Sequence, residues 1–197
     1  MLKRCFDFIL SFIGLLLAIP VINIIAALIY IYSGSPAFFS QKRIGRFGKH
    51  FTLFKFRTMV KNVNQLEGDS ITVRNDPRIT PIGKFLRKWK LDELPTLWNI
   101  VRGDMSFVGP RPDVSGYADK LKNNDKRILQ IRPGITGPAT LKYANEEQLL
   151  AEVENPIKYN DEVIFPDKVR INLEYMDNWS LWKDIIIIFR TIFRKSY

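Results

Sequence analysis

The strongest pattern in the chain is a long apolar run near its start. From Phe8 to Tyr32 there is no charged side chain, and Ile, Leu, Val, Ala and Phe dominate, with Ser11, Gly14, Pro20 and Asn23 as interruptions. The run is long enough to cross a bilayer. It is too long for a secretory signal, and no small-residue cleavage site follows it. Pro20 lies near the middle, where it removes a backbone hydrogen bond and collides with the preceding turn, so a sharp kink is predicted. Asn23, one turn on, is a candidate partner for the freed backbone. Lys3 and Arg4 precede the run, and Lys42, Arg43, Arg46 and Lys49 follow it. The positive-inside preference therefore draws both ends to the cytoplasmic face. Two geometries fit: a helix that enters, bends and returns, or an ordinary kinked single span.

Beyond Ser33-Gly-Ser-Pro36, whose turn-forming residues end the run, the patterns are shorter. Phe54, Phe56 and Thr58 alternate with Lys55 and Arg57, which predicts an extended piece with one cationic face. Lys61 to Pro81 is polar, with a turn at Asn75-Asp76-Pro77, and reads as a loop. Ile82, Phe85, Leu86 and Trp89 share one face of a predicted helix from Ile82 to Trp89, with Lys84, Arg87 and Lys88 spread over the rest. Such a helix suits a membrane surface. Leu94, Leu97, Trp98 and Val101 continue at helical spacing and read as core. Two Gly/Pro-rich segments, Gly103 to Pro112 and Arg132 to Pro138, break regular structure, and the stretch from Asn145 to Glu154 is acidic. A helix from Phe165 to Met176 leads to Leu181 to Phe193, whose apolar run is too short to span a bilayer. With Trp179, Trp182 and the basic Arg190, Arg194 and Lys195, that last helix fits the interface, or a buried core position.

Charge sharpens this picture. The chain has 197 residues and a net charge of +10, and the excess sits at the two ends: +7 over 1–60 and +3 over 179–197, against +2 over 61–113 and −2 over 114–178. The most basic segments are thus the most hydrophobic, which points to an anionic membrane surface and away from nucleic acid. Basic residues interleaved with aromatics between Phe38 and Met59 would also suit a single nucleic-acid strand, but the adjacent membrane segment disfavours it. Cys5 is alone, so no intrachain disulfide exists, in keeping with a reducing compartment. With one histidine and one cysteine, no zinc or haem site is supported. No Walker A or Gly-x-Gly-x-x-Gly sequence occurs.

Candidate chemistry therefore rests on carboxylates and cations. Asp92 and Glu93 are adjacent at the end of Gly83 to Pro95, a stretch with four cations. Two carboxylates can hold Mg²⁺ among phosphate oxygens, and one can act as nucleophile or general base. The same residues fit a plain structural role, with Asp92 capping a helix and Glu93 in its first turn. The two are compatible, because a helix N-terminus also favours bound anions. Arg111 stands between two prolines that restrict its backbone, which suits either a preset phosphate fork or simply a rigid surface loop.

Lys3-Arg4, the Pro20-broken segment, Lys55-Phe-Arg-Thr-Met59, Leu91-Asp-Glu-Leu-Pro95, Gly103-Asp-Met-Ser-Phe-Val-Gly-Pro-Arg-Pro112 and Arg132-Pro-Gly-Ile-Thr-Gly137 stand in this order along nearly the whole chain. Together they resemble the monotopic phosphoglycosyl transferases, bacterial sugar transferases that begin glycan assembly on a polyprenol phosphate. The resemblance implies an α/β fold, mostly helical with short strands, as a single sugar transferase domain. Residues 1–36 would form a re-entrant membrane helix. Residues 37–197 would form a small cytoplasmic catalytic core with amphipathic interfacial helices, on the bacterial inner membrane. It also implies a reaction: a UDP-sugar gives its phosphosugar to polyprenol (undecaprenyl) phosphate and releases UMP.

Carried over by position, Asp92 matches the nucleophile that forms a phosphosugar-aspartate intermediate. Glu93 matches its partner, associated with Mg²⁺, and Arg111 matches a phosphate-binding arginine. Arg87, Lys55 and Arg57 match basic positions near the site. One departure is Ile19, where many members have Ser before the helix-breaking Pro20. The long multi-span N-terminal region of larger relatives is missing, so the chain resembles the minimal catalytic form. A metal-dependent hydrolase of lipid-linked pyrophosphates would use similar groups, and a membrane-tethered anion-binding module is the non-enzymatic alternative. No pattern reports the sugar or an oligomeric state.

Overall fold

The computed structural model describes residues 1–60 and 76–193. The predicted loop from Lys61 through Asn75 and the basic residues Arg194 and Lys195 lie outside the described residues. Helix α1 runs from Leu2 to Ser33 as one element with Pro20 inside it. Asn23 is exposed and makes no side-chain hydrogen bond among the described residues, so it does not serve the backbone that Pro20 frees. Strands β1 (Phe38–Ile44) and β2 (His50–Phe56) form an antiparallel hairpin in which Phe39 faces Lys55, Gln41 faces Leu53 and Arg43 faces Phe51. The predicted extended piece is thus the second half of a hairpin, and it ends at Phe56.

Helix α2 (Pro81–Lys88) starts where Thr80 Oγ1 accepts from the Gly83 N–H at 3.0 Å and Pro81 takes the first position, where its missing donor is harmless. The chain then reverses through Lys90, which is in the left-handed region at φ 56°, into a 3-10 helix from Leu91 to Thr96. Helix α3 (Leu97–Arg102) follows and ends at Gly103, whose φ of 91° favours glycine. A single helix through Leu94 to Val101 is therefore replaced by a 3-10 segment and an α segment, with Pro95 in the tighter one.

The two Gly/Pro-rich segments pair with each other. β3 (Ser106–Val108) and β4 (Gly134–Thr136) form a short parallel ladder. The backbones approach so closely that a Cβ on Gly134 would lie 2.2 Å from the Gly109 nitrogen, and one on Gly109 2.4 Å from the Arg132 carbonyl oxygen. Among the described residues the C-terminal part is mostly helical: two 3-10 segments (Ala118–Lys120 and Asn123–Gln130), α4 (Pro138–Lys142), α5 (Glu146–Ala151), α6 (Pro156–Tyr159), a π-helical turn, α7 (Phe165–Asp177) and α8 (Leu181–Ile192).

Three buried clusters join these pieces. Ile25 and Ile29 of α1 pack with Phe56 and Leu86. Leu53, Ile100 and Met105 form the centre under the hairpin, and Val108, Leu141, Tyr175 and Ile187 bind the C-terminal helices to β3. Both ends of α1 are tied to this same body. Near the start, Arg4 donates to the carbonyls of Ile100 and Val101 at 2.6 and 2.8 Å, Lys3 donates to Asp184 at 2.5 Å, and Asp7 accepts from the Phe107 N–H. At the far end Arg57 donates to the carbonyls of Ser33, Gly34 and Ser35 at 2.5 to 3.0 Å. Along one side α1 leaves Phe12, Ile13, Leu16, Leu17, Ile24 and Ile31 exposed, and α8 leaves Trp182, Phe189 and Ile192 exposed.

Candidate active site

Asp92 and Glu93 lie in the 3-10 helix, which is wedged against β2: Thr96 Oγ1 donates to the Phe54 carbonyl, while the buried Asn99 accepts from the Phe54 N–H and donates to the Thr52 carbonyl. Asp92 does not cap a helix. The N-cap position belongs to Lys90, no side chain caps the turn, and Asp92 Oδ1 is buried without a hydrogen-bond partner. Glu93, by contrast, is held. Its Oε1 accepts from Lys55 Nζ at 2.6 Å and from an Arg111 Nη at 3.0 Å, so the hairpin, the 3-10 helix and the Pro-Arg-Pro loop meet at one carboxylate oxygen.

Arg111 is fixed from both flanks. The Gly134 N–H donates to the Pro110 carbonyl at 2.8 Å and Arg43 donates to the Pro112 carbonyl at 3.1 Å. Arg87 of α2 donates to Thr58 Oγ1 at 3.0 Å and lies 3.7 Å from Glu147 of α5. Its charge also acts on Asp92. Arg57 is not part of this group, because its guanidinium is occupied by the three carbonyls at the end of α1. The structure thus brings together Asp92, Glu93, Lys55, Arg87 and Arg111, and places Arg57 and Pro20 in the scaffold. A cavity beside them is lined by Arg43, Lys55, Glu93, Thr96, Arg111 and Pro112 among others.

The two adjacent carboxyls differ electrostatically. Burial, then the neighbouring Glu93 charge, raises Asp92 above the usual carboxylate range. Burial acts the same way on Glu93, but the charges of Arg111 and Lys55 and the Lys55 hydrogen bond outweigh it and hold Glu93 well below that range. Burial and the Arg111 charge pull Lys55 below its ordinary value. Glu93 is therefore the more readily ionised of the two and anchors two cations, and Asp92 is a less stabilised carboxylate with an uncommitted oxygen. Burial also pushes Asp113, next to Pro112, up to about 6, against the charges of Lys168, Arg43 and Arg111.

Among the described residues, no cluster of three or more His, Cys, Asp or Glu side chains is arranged as a metal cage. The donor set nevertheless fits Mg²⁺, which takes one or two carboxylates and completes its octahedron with water and substrate phosphate. Asp92 Oδ1 has no competing partner, and both hydrogen bonds to Glu93 fall on Oε1, leaving Oε2 open.

Arg43 and Thr58 stand in the sequence only as a flanking charge and a strand position, and Thr96 and Asp113 give no sign there of a place in the site. Arg43 carried a usable signal: once β1 and β2 are paired, strand alternation puts Gln41, Arg43, Leu53 and Lys55 on one face.

The family described as bacterial sugar transferase matches residues 1–196. An undecaprenyl-phosphate galactose phosphotransferase of Salmonella typhimurium is 36% identical over 209 residues, which takes in 96% of this chain and 39% of the relative. A UDP-glucose:undecaprenyl-phosphate glucose-1-phosphate transferase of Escherichia coli is 35% identical over 201 residues, with 98% and 40% covered. The exopolysaccharide production protein ExoY of Rhizobium meliloti is 34% identical over 206 residues, with 98% and 84% covered. The chain spans about two fifths of the length of the first two relatives and most of the third.

Proposed function

The chain belongs to the bacterial sugar transferase family, and from that premise we propose that it moves a phosphosugar from a UDP-sugar to undecaprenyl phosphate, with Asp92 as nucleophile. The observation that carries this reading is the contrast between the two carboxyls: a buried Asp92 oxygen with no partner, beside a Glu93 oxygen bonded to both Lys55 and Arg111. An attacking group must be free of hydrogen bonds that lower its basicity, whereas a positioning group must have them.

In the first step an Asp92 oxygen attacks the phosphorus that bears the sugar. An Asp92–phosphorus bond forms, the bond to the bridging oxygen breaks, and that oxygen takes the electron pair as UMP leaves. In the second step a phosphate oxygen of the polyprenol attacks the same phosphorus and returns the electron pair to Asp92. Arg111 and Lys55 hold the phosphate oxygens between them, and Arg87 faces the same charge from α2. Glu93, with Asp92 beside it, would hold Mg²⁺, which would supply charge neutralisation on the diphosphate. Glu93 keeps Lys55 and Arg111 aimed through both steps.

The lipid substrate fixes the location. With both ends of α1 tied to one folded body and its apolar side exposed, the helix would enter the membrane and return, and α8 with Trp182 and Phe189 would lie in the interface. The site would then sit at headgroup level on the cytoplasmic side of the inner membrane.

The test incubates the purified full chain with Mg²⁺, undecaprenyl phosphate and a panel of UDP-sugars while following UMP. The expected result is UMP release tied to lipid-linked sugar, lost on chelation of Mg²⁺ and in Asp92→Asn, with an adduct on Asp92 visible by mass spectrometry when the lipid is withheld. Unchanged release in Asp92→Asn overturns the nucleophile. Release without lipid-linked product, with water as acceptor, makes the chain a hydrolase.

A further inference from the structure

Arg111 reaches Glu93 from a loop with no regular structure of its own, so something must fix that loop. From the β4 side, the Gly134 N–H holds the Pro110 carbonyl. From the hairpin side, two consecutive residues at the end of β1 act together: the Ile44 N–H donates to the Asp113 carbonyl at 2.9 Å, and an Arg43 Nη donates to the Pro112 carbonyl at 3.1 Å. The other Arg43 Nη donates to Gln41 Oε1 at 2.6 Å, on the same strand face, which orients the fork.

This placement is costly. Arg43 Nε is buried without an acceptor, and the like charge of Arg111 lies nearby. A buried donor left unpaired costs about 1–3 kcal/mol. A neutral apolar residue would avoid both penalties, as Leu53 does on the same face. The Pro112 carbonyl and the Arg111 backbone before it are what Arg43 secures in return.

We infer that Arg43 is a positioning residue for the transfer reaction, acting through the Pro112 carbonyl to hold the Arg111 guanidinium on Glu93 and over the phosphate site. The inference rests on the function proposed above. Arg43 also lines the cavity beside Glu93, but its two hydrogen bonds go to Pro112 and Gln41, and its role is to hold the loop. A displacement of about 1 Å at a phosphate clamp costs on the order of 100-fold in rate, and Arg43 guards against that displacement.

The test is a double-mutant cycle on the full chain in lipid nanodiscs: Arg43→Met, Arg111→Met and the double variant, with kcat/KM for the UDP-sugar and thermal melting of each. Arg43→Met is expected to lower kcat/KM about 10- to 100-fold. The double variant should be within about twofold of Arg111→Met, because Arg43 has nothing left to position. If the two losses multiply instead, Arg43 acts independently of Arg111 and the inference is overturned. Should Arg43→Met fail to fold, Arg43→Lys takes its place in the same cycle, keeping stem and charge but losing the fork that reaches both Pro112 and Gln41. Asp92→Asn is run alongside: its full activity would sink the proposed chemistry, whereas multiplying losses with an inactive Asp92→Asn would sink only the role of Arg43.

Discussion

At Asp92 the folded chain tolerates a buried oxygen with no hydrogen-bond partner, and the carboxyl is raised above its usual range by burial and by Glu93. A raised carboxyl means that the ionised form is less favourable in the folded state than in the unfolded one, so at neutral pH Asp92 opposes stability. Asp92→Asn removes that opposition along with the nucleophile. Turnover is expected to fall by about three orders of magnitude or more, while the melting temperature at pH 7 stays level or rises. A large drop in melting temperature would make Asp92 structural. The raised value also shifts the acid limb of kcat upward, because the attacking form must be ionised.

Asp113 follows the same logic with a stated value. Its carboxyl sits at about 6 in the folded chain against 3.8 ordinarily, so between these values the folded state binds more protons than the unfolded one. Stability from this group therefore falls as pH rises through that window. Asp113→Asn should melt higher than the parent at pH 7, and the gap should close as pH drops below 4. Melting curves of both proteins across that range give the answer, and a gap independent of pH would contradict it.

At the scale of elements, Asp184 ties three helices. It is fully buried in the first turn of α8 and accepts from Tyr175 of α7, from the Trp179 indole and from Lys3 of α1. Removing a buried, paired charge leaves its partners without compensation, so Asp184→Ala is expected to destabilise the fold by about 3 kcal/mol or more. Denaturant unfolding measures it, and a loss under about 1 kcal/mol would mean that α1 docks through its apolar contacts alone. Asp184 gives no sign of this role in the sequence, because it, Tyr175 and Lys3 lie on three separate helices. Elements with local signals were legible: α2 from its amphipathic spacing, although its first residue, Pro81, falls in what reads as loop, and α7 and α8 close to their observed bounds. What depends on distant partners was not. The pairing of β3 with β4 joins segments that each read as loops, and close approach at Gly109 and Gly134 has meaning only once the other backbone is there. The same holds for the site. Asp92, Glu93 and Arg111 stand out by composition and resemblance, whereas Arg57, equally basic and in the same motif as Lys55, is occupied by the end of α1. Nothing short of the fold separates it from Lys55.

At the scale of the whole molecule, α1 is long and apolar enough to cross a membrane, and if it enters one the question is which side each of its ends occupies. An unbent helix of this length would extend about 48 Å, more than the roughly 30 Å of a bilayer core, and a single span would carry the two ends to opposite faces. The contacts oppose that. Lys3 and Arg4 at one end and Ser33 to Ser35 at the other all bond to the body that carries Asp92, and these bonds involve charged groups that cannot be buried in lipid without cost. A spanning α1 would have to break one set, and the set at the start includes the buried Asp184. The chain carries its own probe for this. Cys5 is its single cysteine and is exposed, next to Arg4. In inverted inner-membrane vesicles a membrane-impermeant maleimide should label Cys5 as rapidly as it labels the exposed Ser40 position on β1 in Cys5→Ser/Ser40→Cys. In right-side-out vesicles both should be protected. Labelling of the two positions from opposite faces would show that α1 spans, and would require the contacts of Lys3 and Arg4 with α3 and α8 to be absent in the membrane-bound protein.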